Sequence, residues 1–179
     1  MDNNTFPRFF FRVTACHMVT YMVAGLLALS LLDYATFFQT DVLACLMRPV
    51  TSKWVAAGPG LQVIRGLIFS VALYPFRHIF LADRRGWLML WGLLLGLSVL
   101  STTGPAPGSV EGVIYTKIPF GAHLRGLPET VLQTLAFSAL LTTWYRRPHR
   151  AWTVVMATLM FLVFLMSTAG ALLPRPEGM

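Results

Sequence analysis

Residues 101–128 read STTGPAPGSVEGVIYTKIPFGAHLRGLP, and they are the one long polar interruption in a largely apolar chain of 179 residues. Their four prolines exclude a continuous helix, because proline has no N–H to donate to a helix ladder. A long loop without secondary structure is uncommon in a compact protein unless it is functional or disordered. Val110, Ile114 and Ile118 favour order, because a disordered linker is more polar. We therefore expect an ordered loop over residues 103–127, joining two halves of the fold.

The composition around this loop is that of a membrane protein. Hydrophobic residues make up 56% of the chain and charged residues 12%, whereas a soluble domain carries about 25% charged residues. The apolar runs on both sides of the loop approach the roughly 20 residues that cross a hydrocarbon core of about 30 Å. Little sequence remains for a soluble domain. We expect one polytopic membrane domain over residues 1–179.

The apolar runs predict an all-α integral membrane fold with five transmembrane helices. The predicted spans are residues 13–32, 61–81, 87–102, 128–145 and 150–173. Between the first two spans, within residues 33–60, apolar residues recur at helical spacing among polar ones. A short amphipathic helix lying in the membrane interface fits that pattern.

The positions of the basic residues predict the orientation. The N-terminal arm and the turns after the second and fourth spans hold eight Lys or Arg, and the opposite side holds six. The side with more Lys and Arg in short loops is cytoplasmic in most membrane proteins. We therefore expect a bacterial-type inner (plasma) membrane protein with a cytoplasmic N-terminus, an outer C-terminus and an outer 103–127 loop. The net charge of +7 is explained by this bias, so no nucleic-acid partner is expected.

Arg65 is the sharpest functional candidate, because it places a charge inside a predicted span. It lies six residues after Pro59, or about 9 Å along a helix that rises about 1.5 Å per residue. The side chain either extends to the membrane surface or faces the bundle beside a carboxylate or a bound anion. An unpaired charge in hydrocarbon costs at least about 2.5–3.5 kcal/mol. Glu111 or Glu129 would balance Arg65 when no anion is bound.

Other polar residues extend this candidate site. The second and fourth spans both begin on the outer side, where free N–H groups and the helix dipole favour anions. The predicted substrate-binding residues are Arg65, Glu111, Glu129, Gln62, Gln133, Tyr115 and His123. The sequence holds no metal-ligand spacing and no cofactor-binding motif, so we expect neither a metal nor a cofactor.

His17 has two interpretations. It lies on one face of the first span with Thr14 and Tyr21, at positions i, i+3 and i+7. One interpretation is a proton relay or a haem ligand, with His78 as the second axial residue. The other, which we favour, is a histidine hydrogen-bonded to a neighbouring helix. No second histidine within a span lies at a matching depth.

The first functional hypothesis is non-enzymatic. The chain would bind or pass a small solute, an ion or an anionic lipid headgroup at an outward-facing polar site. A five-helix chain of this size seldom encloses a pathway alone, so a homo-oligomer is expected, with contact through the GxxxG step of Gly92 and Gly96.

Two alternatives come from other classes. An outer-leaflet enzyme that modifies lipids would use Glu111 and His123 as acid and base, although no known catalytic motif accompanies them. An accessory or assembly subunit would pack its helices on a larger membrane complex. The lipid bilayer is an expected partner in each case, and the sequence leaves open whether the protein is an enzyme.

Overall fold

A computed structural model describes residues 5–38, 40 and 43–173 of the chain, and these residues form helices and turns without a strand. In chain order the helices are α1 (Phe6–Leu31), α2 (Tyr34–Phe37), α3 (Lys53–Leu73), α4 (Arg77–Ala82), α5 (Gly86–Leu95), α6 (Val110–Tyr115), α7 (Phe120–Arg125), α8 (Leu127–Arg146) and α9 (Arg150–Leu172). A π-helical turn, Gly96–Leu100, continues α5. The all-α class predicted from the apolar runs is therefore confirmed.

Three of the described helices are long and apolar enough to cross a membrane, namely α1, α3 and α9. The apolar helix Gly86–Leu100 is shorter. Helix α8 has 20 residues but carries several polar side chains in its first half. The bundle is therefore compatible with a multi-pass membrane protein.

Helix α1 runs antiparallel to both α3 and α8. At its start, the rings of Phe6 and Phe9 lie 5.2 and 5.5 Å from the ring of Tyr74, just after the end of α3. Past its end, the carbonyl of Leu32 accepts hydrogen bonds from Arg125, just before α8. We call residues 103–127 the insert, the end of the bundle where α3 and α8 begin the insert end, and the opposite end the base.

The base holds the apolar core. Phe9 and Val13 of α1 are buried there with Leu141 and Trp144 of α8 and Leu90 of α5. The ring of Phe11 packs edge-on against Trp144 in the same region, at 5.9 Å. The base is thus closely filled by apolar side chains, whereas polar side chains gather towards the insert end.

Helices α1 and α3 approach each other closely at Gly66. A Cβ added to Gly66 would lie 2.6 Å from Oγ1 of Thr14 and 2.9 Å from its Cα. Glycine lets two helix backbones pack at this separation. By contrast, a Cβ at Gly92 or Gly96 would meet nothing within 4 Å. The GxxxG step is therefore not used in packing between the described helices.

Two helix boundaries differ from the prediction. Helix α1 begins at Phe6 rather than at residue 13, because Pro7 is tolerated in a first turn and the N-terminal aromatic rings pack on Tyr74. Helix α3 begins at Lys53 rather than at residue 61, and the side chain of Ser52 caps it by accepting from the amide of Trp54 at 3.3 Å. Lys53 and Trp54 therefore belong to α3.

The other boundaries follow from proline and from chain turns. Helix α3 ends at Leu73, before Pro75, and α4 is a separate short helix, so the predicted span 61–81 is divided. In the predicted interfacial segment, the described part is the short α2 and a turn that starts at Leu43. Residues 39, 41 and 42 of that segment lie outside the described residues.

Pro59 lies inside α3, and a serine from α9 bridges the helix beside it. The amide of Gly60 donates to Oγ of Ser167 at 2.9 Å, and that hydroxyl donates to the carbonyl of Ala56 at 2.7 Å. In a regular α-helix the amide of Gly60 would donate to the carbonyl of Ala56, four residues earlier. The Ser167 hydroxyl therefore lies between these two groups. Because Pro59 has no N–H, the carbonyl of Val55 also lacks its usual donor. The first turns of α3 are thus positioned by α9.

Candidate functional site

A cavity of about 200 Å³ lies at the insert end, between α1, α3, α8 and the π-helical turn. We call it the polar cavity. Its polar lining side chains include Tyr21, Arg65, Ser98, Glu129, Gln133 and Thr134. The π-helical turn contributes Ser98 and Val99 to the wall, and π turns inside helices frequently occur at functional sites.

Arg65 borders this cavity from α3. Its guanidinium carbon lies 5.3 Å from the centroid of the Phe69 ring, one helical turn further on. Such a cation–π contact contributes about 0.5–1 kcal/mol at an exposed site. The side chain is also accessible at the edge of the bundle. Arg65 therefore borders the polar cavity and is also exposed on the outside of the bundle.

Glu129 lies in the first turn of α8 and contacts a residue beyond the predicted site. Its Oε2 accepts a hydrogen bond of 2.6 Å from the hydroxyl of Tyr34, a length typical of a bond to an ionised carboxylate. Burial and this hydrogen bond raise the pKa of Tyr34, so its hydroxyl keeps its proton near neutral pH. The positive end of the α8 dipole further favours the carboxylate. Glu129 is thus held by Tyr34 while it lines the polar cavity.

A chain of three side chains connects α3, α1 and α8 beside the cavity. The Nε2 atom of His17 lies 3.0 Å from Oε1 of Gln62, and Nε2 of Gln133 lies 3.2 Å from Nδ1 of His17. These partners fit a neutral imidazole that donates from Nε2 and accepts at Nδ1. His17 is completely buried. The expectation that His17 bonds to neighbouring helices is confirmed, and both ring nitrogens are engaged.

His123 has a comparable role inside the insert. Its Nδ1 accepts from the amide of Gly108 at 3.0 Å, and its Nε2 lies 3.5 Å from the hydroxyl of Thr116. Gly108 has a φ of +86°, in the left-handed region that favours glycine. A Cβ at Gly112 would overlap the carbonyl of Ala106 and lie 3.1 Å from the His123 ring. The imidazole therefore holds the insert folded.

The insert covers the polar cavity and is attached to α1. Ala106 and Pro107 form part of the cavity wall. The Arg125 guanidinium donates from Nε and Nη2 to the carbonyl of Leu32, at 3.2 and 2.7 Å, and lies 4.6 Å from the Phe37 ring centroid. The loop predicted over residues 103–127 thus contains two short helices and closes one side of the cavity.

Three of the seven predicted substrate-binding residues line the polar cavity, and the other four do not. Arg65, Glu129 and Gln133 line the polar cavity together. Gln62 faces His17, and His123 lies within the insert. Glu111 is in the first turn of α6, and Tyr115 is 74% exposed. Neither Glu111 nor Tyr115 lines the polar cavity.

A second, larger space adjoins the polar cavity. This apolar groove of about 700 Å³ lies between α1, α3, α9 and the segment that precedes α3. Tyr21 and Glu129 line both spaces, so these two side chains form the wall between them. The guanidinium of Arg48, which also lines the groove, lies 5.8 Å from the ring centroid of Trp54.

No sequence pattern predicts that Tyr34 contacts Glu129 or that Arg48 lines the apolar groove. Both lie between the predicted spans, and Tyr34 is 95 residues from its partner Glu129. The only feature that could draw attention to Tyr34 is that it is a polar residue just after an apolar span. Most spans end in this way, so the feature does not single out Tyr34. In the described ranges, no group of three or more His, Cys, Asp or Glu side chains is placed to hold a metal ion.

Comparison with protein-family models, with curated proteins and with solved structures found no match to this chain. Its function is therefore inferred from its own residues and from the geometry of the polar cavity and the apolar groove.

Proposed function

We propose that this chain is a multi-pass protein of a bacterial-type inner membrane that binds a small anionic solute, or the anionic headgroup of a lipid, in the polar cavity. The observation that carries the proposal is the position of Arg65 at the polar cavity. Glu129 accepts a hydrogen bond from Tyr34, while Arg65 borders the same cavity with Phe69 as its described contact. The arrangement offers a cation to a ligand.

Arg65 is the donor that supports an anion, because two hydroxyls of the wall have no hydrogen to offer a ligand. The hydroxyl of Ser98 donates to the carbonyl of Leu94 at 2.5 Å, and that of Thr134 donates to the carbonyl of Thr130 at 2.7 Å. Their hydrogens are committed within their own helices. Arg65 supplies up to five N–H donors, and its planar fork matches carboxylate and phosphate. We therefore assign the ligand contact to Arg65, with the Tyr21 hydroxyl beside it.

Five membrane spans fit this proposal, formed by α1, α3, α5 with its π-helical turn, α8 and α9. The basic turns near Arg84 and Arg147 then lie at the base, on the cytoplasmic side, in agreement with the bias of Lys and Arg towards that side. The insert end and the polar cavity face outward. The N-terminus is cytoplasmic and the C-terminus is outside.

Binding fits the geometry better than passage through one chain. Below the polar cavity, Phe137, Leu141 and Trp144 are each at most 1% exposed. A solute would have to displace this packed core to reach the base, and packed interiors do not deform continuously. The lipid-modifying hypothesis has less support, because His123 is engaged inside the insert.

A second candidate, a subunit of a homo-oligomer or of a membrane complex, is favoured by one observation. Gly92 of α5 and Gly96 of the π-helical turn have open space at their Cβ positions. A GxxxG step at a helix surface permits close approach of another transmembrane helix. The two candidates are compatible, since the glycines lie apart from the polar-cavity lining.

The test is a calorimetric titration of the purified protein with inorganic phosphate and with glycerol phosphate, using glycerol as the neutral control. We expect Arg65→Gln to weaken phosphate binding roughly tenfold, because a charge-assisted hydrogen bond contributes about 1.5–3 kcal/mol. Arg84→Gln, which changes the same charge in an exposed turn at the base, is the matched control and should bind as the wild type does. Equal affinities of the Arg65→Gln variant and the wild type would refute the proposal.

A further inference from the structure

The apolar groove lies among the three helices that are long and apolar enough to cross a membrane. Its wall includes Leu26 and Leu29 of α1, Val55 of α3 and Met166 of α9, and these side chains are between 37% and 58% exposed. Exposed apolar residues on membrane-spanning helices face hydrocarbon. The groove therefore opens on the side of the bundle where lipid chains would lie.

Small residues make room for the groove. Gly25, Gly58 and Gly170 all line it. The bridge of Ser167 between Ala56 and Gly60 fixes the first turns of α3, and Ala56, Pro59 and Ser167 belong to the wall as well. The shape of the groove is thus set by a defined contact between α3 and α9.

The charges in the groove are placed at two different points. The exposed Arg48 precedes α3, where its guanidinium lies over the similarly exposed ring of Trp54. Tryptophan beside arginine at the start of a spanning helix is typical of the headgroup level of a membrane. The other charged residue of the wall, Glu129, is bonded to Tyr34. The wall of the groove therefore carries one guanidinium, at the exposed Arg48, and one carboxylate, at Glu129 beside the polar cavity.

We propose that the apolar groove holds an acyl chain of an anionic phospholipid from the surrounding bilayer, with the lipid phosphate at Arg48. A phospholipid matches both parts of the groove, since its chain suits the apolar wall and its phosphate suits the guanidinium. A small hydrophilic anion would leave most of the 700 Å³ unmatched. A zwitterionic phospholipid such as phosphatidylcholine also brings a phosphate, but its ammonium group adds a positive charge that is repelled by Arg48.

This lipid site is separate from the anion site of the polar cavity. Arg48 lines only the groove, and Arg65 lines only the polar cavity. The Tyr21 and Glu129 side chains line both spaces and lie between them. The two proposals can therefore fail independently. Phosphate titration of Arg65 variants reports on the polar cavity, and lipid retention reports on the groove.

The test is native mass spectrometry of the detergent-purified full chain, incubated with equal amounts of phosphatidylglycerol and phosphatidylcholine of the same chain length. We expect the wild type to retain one phosphatidylglycerol in preference to phosphatidylcholine. Arg48→Gln should lower that preference roughly tenfold, through loss of a charge-assisted contact. Lys53→Gln, which removes a nearby exposed charge outside the groove, is the matched control and should retain the wild-type preference.

A second pair of variants tests the position of the acyl chain. Leu29→Trp adds bulk to the groove wall, and Leu27→Trp makes the same change on α1 outside the wall; the two leucines are 47% and 40% exposed. We expect Leu29→Trp to reduce lipid retention and Leu27→Trp to leave it unchanged. Equal retention of both lipids by the wild type, or no effect of either Arg48→Gln or Leu29→Trp, would overturn the proposal. A lipid-free dimer that Leu29→Trp dissociates would assign the groove to a second copy and would also overturn it.

Discussion

The hydroxyl of Tyr34 lies 2.6 Å from a carboxylate oxygen of Glu129, and this contact orients a carboxylate that lines both the polar cavity and the apolar groove. Arg65 borders the same polar cavity, so the cavity carries one guanidinium and one carboxylate. The hydroxyl holds the carboxylate without removing its charge, so a bound anion would depend on direct contact with Arg65. Residue-scale chemistry of this kind is the basis of the proposed anion site.

The same contact predicts a pH dependence. Burial and the hydrogen bond to Glu129 raise the pKa of Tyr34 above the ordinary value of about 10. The folded state then holds this proton more tightly than the unfolded state does, so the stabilisation is complete below about pH 10 and is lost as the pH rises further. When the pH is raised from about 8 to about 11, the free energy of unfolding should fall in the wild type. We expect it to fall less in the Tyr34→Phe variant.

Chemical unfolding in detergent across that pH range provides the measurement. Tyr115→Phe is the control, because Tyr115 is 74% exposed and should leave the alkaline profile of the wild type unchanged. Superimposable profiles for Tyr34→Phe and the wild type would contradict the assigned contact.

A second residue-scale prediction concerns the buried imidazole. Gln133→Leu removes the donor that lies 3.2 Å from Nδ1 of His17 and leaves a buried acceptor unpaired. We expect the free energy of unfolding to fall by about 1–3 kcal/mol. A double-mutant cycle with His17→Leu separates the pairwise contribution from lost packing. If Gln133→Leu costs as much in the His17→Leu background as in the wild type, the two side chains are not coupled.

At the scale of helices, the bridge between α3 and α9 lies directly beside Pro59, near the start of a long helix. The Ser167 hydroxyl contacts both the amide of Gly60 and the carbonyl of Ala56. Side chains that insert into a helix ladder are a recognised cause of kinks. The first turns of α3, which line the apolar groove, therefore depend on α9 for their position.

Removal of this hydroxyl tests the bridge. We expect Ser167→Ala to lower the free energy of unfolding by about 1–3 kcal/mol, since it removes a buried donor and acceptor at once. Thr168→Ala is the matched control, because its exposed hydroxyl bonds only within its own helix, to the carbonyl of Phe164 at 2.8 Å. Chemical unfolding of the three proteins measures the difference. Equal losses in both variants would show that the bridge contributes nothing specific.

The helices were more predictable from the sequence than the contacts between them. In hydrocarbon, backbone groups must be satisfied within a helix, so apolar runs identify helices without tertiary information. The predicted fourth and fifth spans, 128–145 and 150–173, lie within one residue of α8 and α9 at each end. The break at Pro75 and the early start of α3 depend on proline and on a serine cap, which hydrophobicity alone does not weigh.

The candidate site can be predicted only in part from the sequence, and the reason is physical. Arg65, Glu129 and Gln133 could be selected because polar residues inside apolar helices are costly and tend to converge. Their arrangement depends on contacts between residues far apart in the chain, such as Tyr34 with Glu129, 95 residues apart, and Gly60 with Ser167, 107 residues apart. No local pattern encodes such pairs. Glu111 and Tyr115 were selected from loop composition, and the insert places them away from the polar cavity.

At the scale of the whole molecule, the bundle has two different ends. The base is filled by aromatic and leucine side chains around Trp144. The insert end holds the polar cavity and the apolar groove, with the Tyr21 and Glu129 side chains between them. This asymmetry suits a protein that binds a ligand from one side of a membrane. In the proposed function, the group that binds the ligand is the Arg65 guanidinium.

Protection of that guanidinium by a ligand tests the claim most directly. The purified protein is treated with phenylglyoxal, which modifies arginine, with and without inorganic phosphate, and each site is quantified by mass spectrometry. We expect phosphate to slow the modification of Arg65 severalfold, because a bound anion at the polar cavity shields it, while the exposed Arg84 reacts at an unchanged rate. Equal rates at Arg65 with and without phosphate would contradict the account.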